Sequence, residues 1–344
     1  MANYPWIDFR RIKWKHCSDI TAADCLTPKG FSFMRMELAD GVYADFYNVH
    51  SDAGQTAIDF WARQSNINQL AEYIGTWSTG NAVLVFGDVN SRYSREGDTA
   101  IRDLLSGQNP SGTSMRDPWV DFEYGGVIPS DAPSCGVPAE NDACEIVDKM
   151  FYRSGSLLTL SAESFTYPSR QFLQDDGVSI LSDHNPILVN FTWTAGSNNL
   201  RQSAFFGSID GDGNWFNDAP ALTSISKPKA SVLTFRGGSR LDSVGVTLTN
   251  GASFVHGGDG GNEVSLSLTT SEYWVSAQLC RGQKNDKTRN FYIRATTSAG
   301  RTLEAGVATS DCKTLTAPAG WQIVGFLGQS GDEVDQLAFI YAPQ

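Results

Sequence analysis

Hydrophobic and polar positions follow two rhythms in this chain, and the change falls near residue 200. Before it, short apolar runs alternate with stretches of helical period. The runs at 31–37, 42–49, 82–86, 146–152 and 186–192 read as strands. Residues 55–77 carry Ile58, Trp61, Ile67, Leu70, Ile74 and Trp77 at spacings of three, four and six, which puts them near one face of a helix. A shorter helix is expected at 99–105. In 10–15, Ile12 and Trp14 alternate with Arg11, Lys13 and Lys15, as in a strand with one wet face. Strands interleaved with helices predict an α/β domain.

The stretch 194–203, TAGSNNLRQS, is small, polar and unpatterned, and reads as a linker. Beyond it the helical period disappears. Runs such as SVLTF, SVGVTL, EVSLSL, NFYIRATT and QLAFIY are separated by Gly-rich turns, which predicts an all-β domain. Residues 238–248 and 331–341 echo each other: both read Gly, two further residues, an aliphatic, Asp, then a strand. Such a repeat points to internal pseudo-symmetry. The expected division is an α/β domain at 1–193, a linker at 194–203 and an all-β domain at 204–344.

Charge and cysteine content narrow the setting. The net charge is −12, and RRIKWK at 10–15 is the only basic run. That weighs against tight non-specific binding to nucleic acid without excluding a local patch. No apolar run reaches the ~18 residues that span a bilayer, and the first 17 residues lack the apolar core of a signal peptide. Cys17, Cys25, Cys135, Cys144, Cys280 and Cys312 fall into three local pairs in sequence order, although spacing alone leaves the pairing open. An even count without CxxC suits an oxidising compartment. The expectation is a secreted protein whose export signal is not in this chain.

Four polar clusters stand at the ends of strand candidates. They are Asn48-Val-His50-Ser-Asp52-Ala-Gly54, Gly87-Asp88-Val-Asn90, Asp148-Lys-Met-Phe-Tyr-Arg153 and Leu181-Ser182-Asp183-His184-Asn185-Pro186. Asp and Asn supply the oxygens that a hard cation such as Mg²⁺ wants. A His beside a carboxylate can take a proton from water near neutral pH. A further His or Asn can hold charge developing on phosphoryl oxygens. Singly, each cluster is as well explained by a turn or a structural His. Four together, all at strand ends, point to phosphoester hydrolysis.

The order N-x-H, G-D-x-N, D-K-x-F-Y-R, S-D-H-x-P resembles the endonuclease/exonuclease/phosphatase superfamily over most of 30–193. That resemblance implies a deoxyribonuclease I-like four-layer α/β sandwich. It implies His184 as the general base and Asp148 as the group that orients and charge-pairs it. Asp183 would assist the metal or the substrate phosphate. Asp88 and Asn90 would contact the scissile phosphate and the metal, and His50 would stabilise the pentavalent transition state. The implied Mg²⁺ contacts are thus Asp88, Asn90 and Asp183. Family members begin with a strand carrying Asn and then a strand-end Gln-Glu whose Glu is the main metal ligand. Here Asp8 and Asp19 have no matching context, and Glu37 lies ahead of the His50 strand. The expectation is a partial sandwich with an exposed apolar sheet edge and face, and with Mg²⁺ held weakly or not at all.

Asp210, Asp212 and Asn214 have the offsets of a calcium loop. Trp215 stands where that loop needs Gly, and Ala221 where it needs Glu, so that reading is set aside. The stretch 204–344 instead resembles jacalin-related lectins, through G-x-x-F-x-D at 213–218, HGGDGG at 256–261, Ser271-Glu-Tyr-Trp274 and the run at 323–335. The resemblance implies a β-prism of three four-stranded sheets. It implies a carbohydrate pocket built from Gly213 and the loop Gly331, Asp332, Glu333, Val334 and Asp335, with Asp335 the key acceptor. The echo suggests a second pocket at Gly238 and Asp242, although the same pattern can merely shape a turn. The HGGDGG loop is expected to face the main site with His256 structural, and Trp215 and Trp274 to be core. The sugar, of mannose/glucose or galactose type, is left open. So is the choice between a Mg-dependent phosphoesterase targeted to glycans and a lectin carrying an inactive hydrolase module. For the former, a phospholipid head group or small phosphodiester is favoured and nucleic acid is not excluded.

Overall fold

The computed structural model describes residues 2–19, 24–196, 200–209 and 213–344. The first module contains β1 (Trp6–Lys13), β2 (Gly30–Ala39), β3 (Val42–His50), α1 (Ala57–Trp77), β4 (Ala82–Asp88), α2 (Ala100–Ser106), α3 (Pro118–Glu123), β5 (Asp148–Arg153), β6 (Leu158–Thr166) and β7 (Leu188–Ala195). The first five strands form one sheet in sequence order. Strands β3 and β4 run parallel across the α1 crossover, and the other neighbours are antiparallel.

Helix α1 starts at a capping box, in which Thr56 and Asp59 satisfy each other's backbone N–H groups. Its last turns bury Ile67, Leu70, Ala71 and Ile74 against Phe31, Phe33, Tyr47, Val83 and Val85. Its first turns depart from the expected apolar face. Ile58 and Trp61 are exposed, while Asp59, Arg63 and Asn66 are buried. The burial is stabilised by specific partners: Arg63 donates to Asp98 and to the carbonyls of Asp52 and Gly54, and Asn66 bonds the Asp52 N–H and the His16 carbonyl. On the opposite sheet face, the β6–β7 pair sets Leu158, Leu160 and Phe191 against Ala44, Leu84 and Tyr152. The rest of that face is an open groove of about 710 Å³, lined by Trp6, Met34, Phe46, Phe86 and Met150 among others.

The second module contains β8 (Arg201–Gln202), β9 (Phe206–Gly207), β10 (Asn214–Asn217), a single-turn α4 (Ala219–Leu222), β11 (Ala230–Gly237), β12 (Leu241–Leu248), β13 (Ser253–Gly257), β14 (Asn262–Ser267), β15 (Trp274–Lys284), β16 (Lys287–Thr297), β17 (Thr302–Gly306), β18 (Asp311–Thr316), β19 (Trp321–Ser330) and β20 (Val334–Pro343). Three sheets close around one core: β13-β12-β11-β14, β17-β16-β15-β18 and β10-β19-β20. In the last, β8 and β9 together occupy the fourth position along β20. Each sheet sends side chains inward, including Phe235 and Val244, Trp274 and Ile293, and Phe326 and Phe339. This is a β-prism. The turn α4 is the one helix among the described residues of a module expected to have none.

The 194–203 stretch is structured at both ends. Thr194 and Ala195 finish β7, and Arg201 and Gln202 pair with Tyr341 and Ile340, because the open edge of β20 satisfies their backbone groups. Residues 197–199 lie outside the described residues, as do Asp210 and Asp212 of the discarded calcium reading. The cysteines form Cys17–Cys25, Cys135–Cys144 and Cys280–Cys312.

The two modules touch through a buried charge cluster. Arg35 of β2 forms a two-pronged bond with Asp45, donates to the Trp77 carbonyl, and lies 3.9 Å from the ring centre of Trp215. Gln336 donates to Asp8 across the same interface, and Asn217 donates to the Thr79 carbonyl. Tyr43 and Phe205 meet edge to face.

Candidate functional site

Strand register builds the first site. His50 ends β3, Asp88 ends β4 and Asp148 begins β5, and the pairing sets His50 beside Asp88 and Asp88 opposite Asp148. Three chemically useful side chains thus stand in a row at one end of the sheet, about one strand spacing of ~4.8 Å apart. Gly87 permits this: a side chain there would strike the Val49 carbonyl, and its φ of +132° lies outside the range of other residues.

His184 reaches the row from the loop ahead of β7. Its Nδ1 lies 2.7 Å from Asp148 Oδ2. That hydrogen bond raises the His184 pKa above the ordinary imidazole value. Asn185 is the residue that sequence reasoning missed. Buried, it accepts from the Ala139 N–H and the Ser169 hydroxyl and donates to the Gly136 carbonyl, which fixes the loop. Its place inside S-D-H-N-P was visible, but its partners are remote in sequence.

His50 Nε2 lies 3.5 Å from Asp88 Oδ2. Burial and then the nearby Lys29 push its pKa down, which favours the neutral imidazole. Burial, together with the Asp148 charge, pushes the Asp88 carboxyl up. Asn90, at φ +50°, turns back so that its N–H and side-chain amide both donate to Asp88, and the amide also reaches the Ser51 carbonyl. Asp183 is exposed one residue before His184, and its charge favours the imidazolium. Lys149 of the D-K motif points the other way and is buried against Glu145.

Of the expected Mg²⁺ contacts, Asp183 stands exposed beside His184, while Asp88 and Asn90 face one another and are hydrogen-bonded. Among the described residues no three His, Cys, Asp or Glu side chains group as a metal site.

In the prism, Gly213, Gly331, Asp332, Glu333 and Asp335 line one cavity of about 360 Å³. Val334 turns its side chain into the core instead, being fully buried. Asp335 is buried with Oδ1 2.8 Å from Arg289 Nε. A side chain on Gly213 would meet Asp335 Oδ2 at 2.6 Å, so the glycine is needed for closeness. The echo repeats this arrangement in space. Gly261 holds the same relation to Asp242, with a contact of 2.5 Å, as Gly213 does to Asp335. The Gly238 N–H donates to the Arg240 carbonyl as Gly331 N–H does to Glu333. The HGGDGG loop therefore adjoins both cradles: Gly258 abuts Asp332, and Gly260 and Gly261 abut Asp242. His256 is structural, bonded to Asp218 and stacked on Phe216. Trp274 is core, and Trp215 is buried at the module interface.

Residues 12–113 match the family model "Endonuclease/Exonuclease/phosphatase family 2", and residues 204–340 match "Jacalin-like lectin domain". The chain thus joins a module similar to that endonuclease/exonuclease/phosphatase family to one similar to jacalin-like lectin domains. Among curated relatives, the sphingomyelinases of Mycobacterium tuberculosis (strain ATCC 25618 / H37Rv) and Mycobacterium bovis are 37% identical over 185 residues, covering 54% of this chain and 34% of each relative. The chain therefore spans about a third of their length. The secreted RxLR effector protein 19 of Plasmopara viticola is 30% identical over 112 residues, covering 30% of this chain and 61% of that protein. Among solved structures, a mannose-binding jacalin-related lectin from Ananas comosus is 18% identical at a TM-score of 0.36, covering 42% of this chain and 99% of that one. A mannose-specific lectin from Morus nigra, solved with mannose, is 20% identical at 0.37, covering 43% and 98%.

Proposed function

We propose that the first module hydrolyses a phosphodiester and that the second binds carbohydrate, bringing the hydrolase to glycan-bearing surfaces outside the cell. One observation carries the hydrolase reading: the His50–Asp88–Asp148 row, with His184 hydrogen-bonded to its end. With Nδ1 held by Asp148, His184 Nε2 takes a proton from water as the water oxygen attacks phosphorus; the ester P–O bond breaks and the leaving alkoxide takes a proton from solvent water. Neutral His50 donates a hydrogen bond to a phosphoryl oxygen as charge builds there. The likeness to sphingomyelinases favours a phospholipid head group as substrate. Three disulfides support an extracellular setting, and among the described residues no helix is long and apolar enough to cross a membrane.

The test is hydrolysis of a panel of sphingomyelin, other phosphodiesters and DNA, with Mg²⁺ and with chelator. His184→Ala should cut the signal by roughly a hundredfold or more; activity near the wild-type level would sink the assignment. A second reading, a lectin with an inactive hydrolase module, draws on the mutual bonding of Asp88 and Asn90. Because Asp88 and Asn90 bond each other, magnesium is expected to bind weakly, and calorimetric titration measures this directly. For the lectin, Asp335→Ala should remove glycan-array binding, and Asp242→Ala should reduce it if the second cradle is occupied.

A further inference from the structure

The acceptors of the main carbohydrate pocket are already engaged by cations. The β15–β16 hairpin turns through Asn285 and Asp286, both with positive φ, and hangs Lys284, Lys287 and Arg289 over the loop 331–335. Lys284 Nζ lies 2.5 Å from Glu333 Oε1, and Arg240 Nε lies 2.6 Å from the same oxygen. Arg289 Nε lies 2.8 Å from Asp335 and 3.6 Å from Glu333. Both acids are buried, whereas the Lys284 side chain is 38% exposed toward the cavity. Burial alone would push the Glu333 carboxyl up, yet its ion pairs with Lys284 and Arg240 prevail and hold it below the ordinary value.

A neutral hexose binds to such a loop by donating its hydroxyl hydrogens to a carboxylate. Here those hydroxyls would have to compete with Arg289 and the two other cations. An ammonium keeps three donors, so Lys284 can hold Glu333 and still donate outward, as can the forked guanidinium of Arg289. The cations stand out on a chain whose net charge is −12. They also come from a part of the sequence remote from the G-x-x-x-D loop; Lys284 is 49 residues from Glu333.

We propose that this pocket takes an anionic saccharide, one bearing a carboxylate, sulfate or phosphate group, with the sugar ring seated against Gly213 and Asp335 and the oxyanion received by Lys284, Lys287 and Arg289. The proposal rests on the lectin reading and specifies its ligand class.

A glycan array displaying neutral mannosides and galactosides beside uronate-, sulfate- and phosphate-bearing saccharides tests it, using the full chain. Binding should favour the anionic set. It should weaken about tenfold or more when salt rises from about 0.1 M to about 1 M, which shortens the Debye length from roughly 10 Å to roughly 3 Å. Lys287→Gln should weaken the anionic set. Asn285→Asp should do the same by adding a negative charge at an exposed turn position without removing an ion pair. Unchanged thermal melting of both variants separates the effect from misfolding. Binding confined to neutral sugars, or anionic binding indifferent to both substitutions, overturns this ligand class while leaving a lectin. No binding to any saccharide overturns the lectin reading itself.

Discussion

At the scale of single residues, the proposed mechanism divides the work between His50 and His184 by their surroundings. His184 acts as a base only when deprotonated, and Asp148 raises its pKa. Activity is therefore expected to fall as pH drops through a value above the ordinary imidazole pKa of about 6.5. Asp148→Asn removes the hydrogen-bonding carboxylate, so the acid limb of a pH–rate profile should move to lower pH as the maximal rate falls. A limb that stays in place would mean another group is titrating. His184→Ala should cost roughly a hundred- to ten-thousand-fold in kcat, measured on whichever phosphodiester is turned over. His50, Asp88, Asn90, Asp148 and His184 all stand in compact strand-end strings, which is why sequence alone named them. What the strings do not contain is which member meets which. The bond between His184 and Asp148 spans 36 residues and depends on a loop conformation. Lys149 shows the limit from the other side: it sits in the same motif as Asp148, yet the strand's alternation points it into the core.

At the scale of elements, the loop ahead of β7 depends on Asn185. Asn185→Ala would leave the buried Ala139 N–H and Ser169 hydroxyl without their acceptor, at a cost of about 1–3 kcal/mol for each group left unpaired. Asn185 adjoins His184 in the chain and its bonds fix the loop, so on the proposed mechanism the variant should lower kcat more than it raises KM, and Asn185→Asp should restore part of the loss by keeping the acceptor. Kinetics on variants that still melt cooperatively would show this. Strand and helix types were largely legible from periodicity, and the last turns of α1 follow the expected face. Its first turns do not, since the hydrogen bonds that hold Arg63 and Asn66 inside come from Asp98 and His16, which no local pattern reveals. The pair β6–β7 was only half foreseen. The cations over the lectin pocket were not foreseen, because a hairpin distant in sequence carries them.

At the scale of the whole molecule, the interface between the modules is built on a buried acid and a buried ring. Burial pushes the Asp8 carboxyl up to about 6, and Arg35 only partly offsets this. A group whose folded pKa lies above its unfolded value takes up a proton on folding, so stability should rise as pH falls from about 7 toward about 5. Calorimetry on the wild type and on Asp8→Asn, in which this dependence should shrink, checks the sign. Asp52 and Asp117 are also raised to about 6 and act in the same direction, so the difference between the two proteins is the informative quantity. Trp215→Ala should cost about 3–5 kcal/mol and split one melting transition into two, because the ring is buried beneath Arg35. The same contact has a consequence for reach. A catalytic head on a loose tether samples a volume set by linker length. A head bolted to its anchor through Arg35, Trp215 and Gln336 keeps one height and one attitude above whatever the prism grips. On the proposed function, such a protein would work like a stylus rather than a flail. Each docking event would expose only those phosphodiesters that lie at one offset from the captured sugar, and turnover beyond them would require letting go and landing again.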